Sequence, residues 1–190
     1  VSYSVVDKTD EQKDEKKEIP AEVVQIGEPL ARPDKITGLT YKVKTPVISV
    51  GNISAGGSGK TILVQALIEH FLGLGKRPAV LSRGYGRSSK GVVVVADDIG
   101  LKATVKNSGD EPFLMATNYP GVPVVVSENR VAGARHLEDN FSPDVIILDD
   151  GFQHRALHRD LDIIIVDFLK SPKPRLLPWG FLRESAVNIS

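Results

Sequence analysis

Cysteine is absent from the 190 residues, and methionine and tryptophan occur once each. Without cysteine there are no disulfides, zinc-thiolate centres or thiol nucleophiles, so any chemistry must come from oxygen, nitrogen or a bound metal, and a reducing compartment is the natural fit. Net charge is lacking too. The 24 Lys and Arg balance 24 Asp and Glu, which leaves no global field to draw the chain to nucleic acid or anionic lipid, and no nucleic-acid partner is expected. Long apolar runs are also missing. "GVVVVA", "DVIILDD" and "LDIIIVD" are of strand length, far below the roughly 20 residues that cross a bilayer as a helix. The sequence starts at Val1, and no basic stretch leads into an apolar run that would read as a secretory signal.

What is present divides into two parts. Residues 1–45 carry the mixed-sign run "DKTDEQKDEKKEIP" and short apolar patches broken by Pro20, Pro29 and Pro33, which predicts a flexible or loosely docked arm. From Thr45, short β-branched runs alternate with longer amphipathic stretches. Strands are expected over 46–52, 77–84, 90–96, 122–127, 143–150 and 161–167, and helices over 59–75, 110–119 and 128–141. The near-continuous apolar strands predict an α/β fold with a mainly parallel sheet covered by helices on both faces.

Between the first of these strands and the first helix lies "NISAGGSGKTILV". Gly56, Gly57 and Gly59 let the backbone turn through positive φ and point N–H groups inward, while the helix directs its positive end to the same place. Ser54 stands where the usual G-x-x-x-x-G-K-T has its first glycine. In a P-loop, Ser58 joins the nucleotide-binding turn, Lys60 reaches the β- and γ-phosphates, and the Thr61 hydroxyl binds Mg2+. The alternative is a plain glycine-rich βα turn, which gives no reason for the Gly-Lys-Thr ending. Further on, "VIILDD" ends an apolar strand in Asp149 and Asp150. A strand parallel to the first would bring these carboxylates to the phosphate loop as Mg2+ ligands, although Asp-Asp also serves as an ordinary turn entry.

Other polar residues invite both readings. Arg83 and Arg87 flank Gly84 and Gly86 in a loop, as a phosphate clamp or as solvated surface. Arg130 opens a helix, as a substrate contact or as one half of a surface ion pair. "SGDEP" places Asp110 and Glu111 where a helix starts and acidic residues suit the dipole. Gln153, His154, Arg155, His158 and Arg159 crowd the loop after the two aspartates, which suggests hydrogen bonding or substrate contact. The i,i+4 pair His154 and His158 finds no third ligand for a metal.

In order, "GNISAGGSGKT", "LSRGYGR", "GDEP", "ENRVAG", "LDDGFQHRALHRDLDIIIVD" and "LLPWGFLRE" make residues 45–185 resemble tetraacyldisaccharide 4'-kinase, a P-loop family that phosphorylates the disaccharide precursor of lipid A with ATP. The resemblance implies ATP and Mg2+, a lipid disaccharide substrate, and a place at the cytoplasmic face of the bacterial inner membrane. It implies Asp110 as the base, assisted in the family by a histidine beyond the end of this chain. It implies substrate contacts from Arg83, Arg87, Glu111, Arg130, Gln153, His154, Arg183 and Glu184. No Asn-Lys-x-Asp stretch is present for guanine, in keeping with ATP. Three departures stand out: a charged arm in place of the family's hydrophobic N-terminal helix, Trp179 where a small residue is usual, and an end at Ser190 before the family's second lobe. Residues 46–190 are therefore expected to form the nucleotide-binding lobe, with poor turnover. A nucleotide-binding module and a P-loop ATPase are the competing expectations.

Overall fold

The computed structural model describes residues 40–52 and 59–166, together with the backbone of Glu22–Ile26. Seven strands form one sheet: β1 (Glu22–Ile26), β2 (Val47–Asn52), β3 (Pro78–Ser82), β4 (Val93–Ala96), β5 (Val124–Val126), β6 (Val145–Asp149) and β7 (Leu161–Val166). Their spatial order is β1-β7-β2-β6-β3-β5-β4. The five central strands run parallel, and β1 and β4 close the two edges antiparallel. Parallel strands need crossover connections, and helices supply them up to β6: α1 (Lys60–Gly73) after β2, α2 (Val105–Ser108) and α3 (Asp110–Asn118) before β5, and α4 (Arg130–Phe141) before β6, whereas residues 150–160 carry the chain from β6 to β7 without a helix.

Strand alternation assigns the two cores. Val80, Val124, Val126 and Ile147 face α1 and α3, where they pack with Val64, Ile68 and Met115. Ala79, Leu81, Val125, Ile146 and Leu148 face the opposite way, toward Ala134 and Leu137 of α4. A sheet buried on both faces has no polar stripe to spare, hence the unbroken apolar runs in the sequence. Val64 and Ile68 lie one turn apart on α1 and are fully buried, each contributing about 1.5–3 kcal/mol of apolar burial.

Two parts of the expected arm belong to this fold. β1 pairs with β7, from Glu22 against Val166 to Ile26 against Asp162. Nearer the sheet, Tyr41 N–H donates to the Ala156 carbonyl at 2.8 Å, the Tyr41 carbonyl accepts from His158 N–H at 2.8 Å, and Val43 is buried. Glu138 of α4 then accepts from the backbone N–H groups of Lys44 and Thr45 at 2.7 and 2.8 Å. Residues 22–26 and 40–45 of the expected arm are thus docked on the sheet, where β1 covers the edge that β7 would otherwise expose and Val43 enters the core. The four-residue α2 was not anticipated, being shorter than any periodic pattern reveals.

Candidate active site

Parallel pairing delivers the polar ends of neighbouring strands to one edge. β2 and β6 are adjacent, with Val50 in register with Asp149. Asn52, Ser82 and Asp149 are the last residues of β2, β3 and β6, and all three are buried. Gly59, with φ of 76°, begins α1, and the helix brings Lys60 back over the edge. Its Nζ donates to Asn52 Oδ1 at 2.9 Å and pairs with Asp150 Oδ1 at 3.1 Å. The strand that precedes the phosphate loop thereby aims that loop's lysine.

Asp149 is 2% exposed and accepts from Ser82 Oγ at 2.9 Å through Oδ2, while Oδ1 has no hydrogen-bond partner. Burial pushes its carboxyl up to about 6, against the Ser82 hydrogen bond, and the nearby Glu111 and Asp150 charges add to the rise. Asp150 holds φ of 50°, a left-handed conformation that Asp tolerates better than most residues. Thr61 Oγ1 lies 3.5 Å from Glu111 Oε1. A buried carboxylate oxygen without a donor, next to further carboxylates and a threonine hydroxyl, suits a hard divalent cation with oxygen ligands. Among the described residues no three acidic or imidazole groups form a metal cage by themselves, so phosphate oxygens and water would complete the shell, as Mg2+ prefers.

Positive charge faces these carboxylates. Arg130, the first residue of α4, is buried, and its Nη1 donates to the Ser127 carbonyl. Burial brings its guanidinium down to about 10, as does the like charge of Arg83, while Asp149 and Asp150 work the other way. It stays charged at neutral pH. His154 is half-buried near Arg130 and Arg83, and burial with these two cations brings its imidazole down to about 4, leaving it neutral. Gln153 Nε2 donates to the Asn52 carbonyl at 3.3 Å. Arg159 supports the loop from beneath: Nη1 donates to the carbonyls of Gly151, Phe152 and His154 at 3.4, 3.3 and 2.9 Å, and Nε pairs with Asp162 at 3.0 Å.

Comparison with known proteins agrees with this geometry. The family model for tetraacyldisaccharide-1-P 4'-kinase, LpxK, matches residues 30–190. The chain belongs to the LpxK family. It is 50% identical over 155 residues to the tetraacyldisaccharide 4'-kinase of Chlorobium phaeovibrioides, covering 79% of this chain and 44% of that protein. Against the enzyme of the same name from Aquifex aeolicus it is 52% identical over 148 residues, covering 78% and 46%. A crystal structure of LpxK from Aquifex aeolicus in complex with ATP superposes with a TM-score of 0.73 at 50% identity, covering 80% of this chain and 47% of that one. The chain thus spans a little under half the length of these relatives. Its fold is that of the LpxK structure, a P-loop NTPase-like α/β sheet.

Within this LpxK-family site, the residues expected from sequence make the following contacts. Glu111, expected at the substrate, stands beside Thr61, and its charge adds to the rise of the Asp149 carboxyl. Arg87 was expected as a clamp. Its side chain is buried, and Nη2 pairs with Glu128 at 2.7 Å and donates to the Gly91 carbonyl at 2.7 Å. Arg130 makes no helix-surface ion pair, since it is buried facing the aspartates. His154 and His158 lie, as expected, in the loop between β6 and β7, and His158 pairs with Asp160 at 3.4 Å. Asp110 is exposed at the first position of α3; Gly109, with φ of 90°, stands at the cap. Ser54, Gly56, Gly57, Ser58, Arg183 and Glu184 lie outside the described residues. Sequence reading missed Asn52 and Ser82. Their signal was there: a polar residue closing an otherwise apolar strand, three times over.

Proposed function

We propose that this chain carries the ATP-binding and phosphoryl-transferring half of a tetraacyldisaccharide 4'-kinase. The observation that carries the reading is the convergence of Lys60, Asn52, Asp149 and Asp150 at the C-terminal edge of β2 and β6, in a chain of the LpxK family. Lys60 supplies positive charge to the transferring phosphoryl group, and Arg130 and Arg83 extend that field over the acceptor side. Asp110 accepts the proton as the sugar 4'-hydroxyl oxygen bonds to the γ-phosphorus and the bond from that phosphorus to the leaving ADP oxygen breaks. An ordinary aspartate, at about 3.9, is a weak base and needs orientation to act. Thr61, Asp149, Asp150 and Glu111 would hold Mg2+, which neutralises charge on the transferring phosphates when bound. The acceptor is a tetraacyldisaccharide 1-phosphate, whose acyl chains would hold it in a membrane, and the family resemblance implies a peripheral enzyme at the cytoplasmic face of the inner membrane. No helix among the described residues is long and apolar enough to cross a membrane.

The test is transfer of labelled γ-phosphate from ATP and Mg2+ to the disaccharide monophosphate in detergent. Label in the lipid, abolished by Lys60→Ala and Asp110→Ala, is the expected result. Nucleotide binding that needs Lys60 without transfer would reduce the chain to a binding module. Hydrolysis indifferent to lipid would make it an ATPase.

A further inference from the structure

The loop after β3, residues 83–91, is stitched at both ends of its path. Arg87 lies at its centre with a side chain only 3% exposed, paired with Glu128 of the β5–α4 turn, whose side chain is 47% exposed. The same Glu128 oxygen accepts from Gly91 N–H at 3.0 Å, so one carboxylate closes the loop on both sides. From Arg87 the contacts continue outward. Nη1 donates to Ser89 Oγ at 3.1 Å, and Ser89 Oγ donates to the Asn107 carbonyl in α2. Ser88 adds its N–H and Oγ to the Lys106 carbonyl at 2.8 and 3.0 Å.

α2 runs directly into Gly109 and Asp110, and there the loop touches again, this time through glycines. A Cβ on Gly84 would sit 2.5 Å from the Ser108 carbonyl oxygen and 2.6 Å from Arg87 Cδ. One on Gly109 would sit 2.8 Å from the Tyr85 carbonyl oxygen and 3.2 Å from Gly84 C. Both glycines have positive φ, 68° and 90°. Two backbones are therefore in contact where the chain turns into α3, with no side chain between them to absorb a shift.

We infer that the Arg87–Glu128 pair is a positioning device for Asp110 and Glu111, acting through the Gly84–Gly109 contact and the Ser89–Asn107 link, and not a substrate clamp. This rests on the proposed role of Asp110. Arg87 reaches neither the carboxylates nor the lysine; it holds the loop against the N-terminus of the helix that carries both acidic residues. An exposed ion pair would be worth little, but removing Glu128 leaves a buried guanidinium without its counter-charge, so the loop must rearrange. A displacement near 1 Å at a reacting group lowers turnover by about a hundredfold.

The experiment compares Arg87→Gln, Glu128→Gln, the double variant and Arg87→Lys, reading kcat and KM for the disaccharide acceptor and amide exchange without substrate. Both single glutamine variants are expected to lose about tenfold to a hundredfold in kcat, with acceptor KM changed by less than about twofold. The double variant should be no worse than the worse single, since the two residues act as one unit. Arg87→Lys should fall between, keeping the charge but losing the fork. Exchange at Ser108, Gly109 and Phe113, whose N–H groups are bonded to Thr104, Val105 and Gly109 carbonyls, should quicken in both single variants. A rise in acceptor KM for Arg87→Gln, with Glu128→Gln unchanged in kinetics and exchange, would overturn the inference and restore Arg87 as a clamp. Should the unsubstituted protein transfer no phosphate, the reading of Asp110 fails, while exchange still judges the coupling: unchanged exchange in both variants refutes it.

Discussion

Asp149 shows how much one residue is asked to bear. Burial, with the nearby Glu111 and Asp150 charges, brings its carboxyl to about 6 from an ordinary 3.8, against the single hydrogen bond it accepts from Ser82. A folded-state pKa above the unfolded one means that the native protein binds the extra proton between those two values. The stabilisation from that proton is complete below about 4 and is lost as pH rises through about 6. Asp149→Asn keeps the size and an acceptor for Ser82 but removes the charge. It should raise the melting temperature at pH 8, by the equivalent of roughly 2 to 3 kcal/mol, and leave it nearly unchanged at pH 4. Calorimetry across this range checks the sign, and Mg2+-dependent activity should vanish in the same variant. Sequence alone brought Lys60, Thr61, Asp149 and Asp150 forward as candidates, because their spacing in the chain is what suggests the chemistry. The contacts of Arg87 with Glu128 and of Glu111 with Thr61 had no such signal, since an arginine in a glycine loop reads the same whether it points at a ligand or folds back onto Glu128.

At the scale of elements, the turn that follows β6 depends on a buried ion pair. Arg159 gives one nitrogen to three carbonyls of residues 151–154 and another to Asp162 on β7. Burial raises the Asp162 carboxyl and Arg159 opposes the rise. Removing only the cation strands a carboxylate in the interior. Arg159→Gln should therefore cost about 3–5 kcal/mol in denaturant unfolding, whereas Arg159→Met with Asp162→Leu should recover most of that loss. If the single and double variants unfold alike, the pair is not what holds the turn. Strands and long helices were readable to within a few residues because burial on both faces imposes unbroken apolar runs and α1 repeats Val64 and Ile68 one turn apart. α2 and the pairing of β1 with β7 were not, since a single helical turn has no period and an edge strand takes its identity from its neighbour.

For the molecule as a whole, the site is a seam between β2, β6, α1 and α3, so a ligand bound there ties separate parts of the sheet and its helices together. At about a hundredfold above its dissociation constant, ATP with Mg2+ should add about 2.7 kcal/mol of stability. For a chain of this size that corresponds to a rise of about 5–10 °C in melting temperature. Lys60→Ala should abolish the rise, and differential scanning fluorimetry would show it. A shift that survives this substitution would place the nucleotide elsewhere.

By itself the sequence determined the chemistry on offer: a phosphate loop, a lysine and threonine after it, two aspartates at a strand end, and no cysteine. Those depend on residue type and local spacing, which a linear chain displays in full. Tertiary structure alone decided which groups meet. It set Asn52 on Lys60, Ser82 on Asp149, Glu111 beside Thr61 and Glu128 on Arg87. Each of these contacts joins separate segments of the chain, and the strand order of the sheet, not local preference, brings them together.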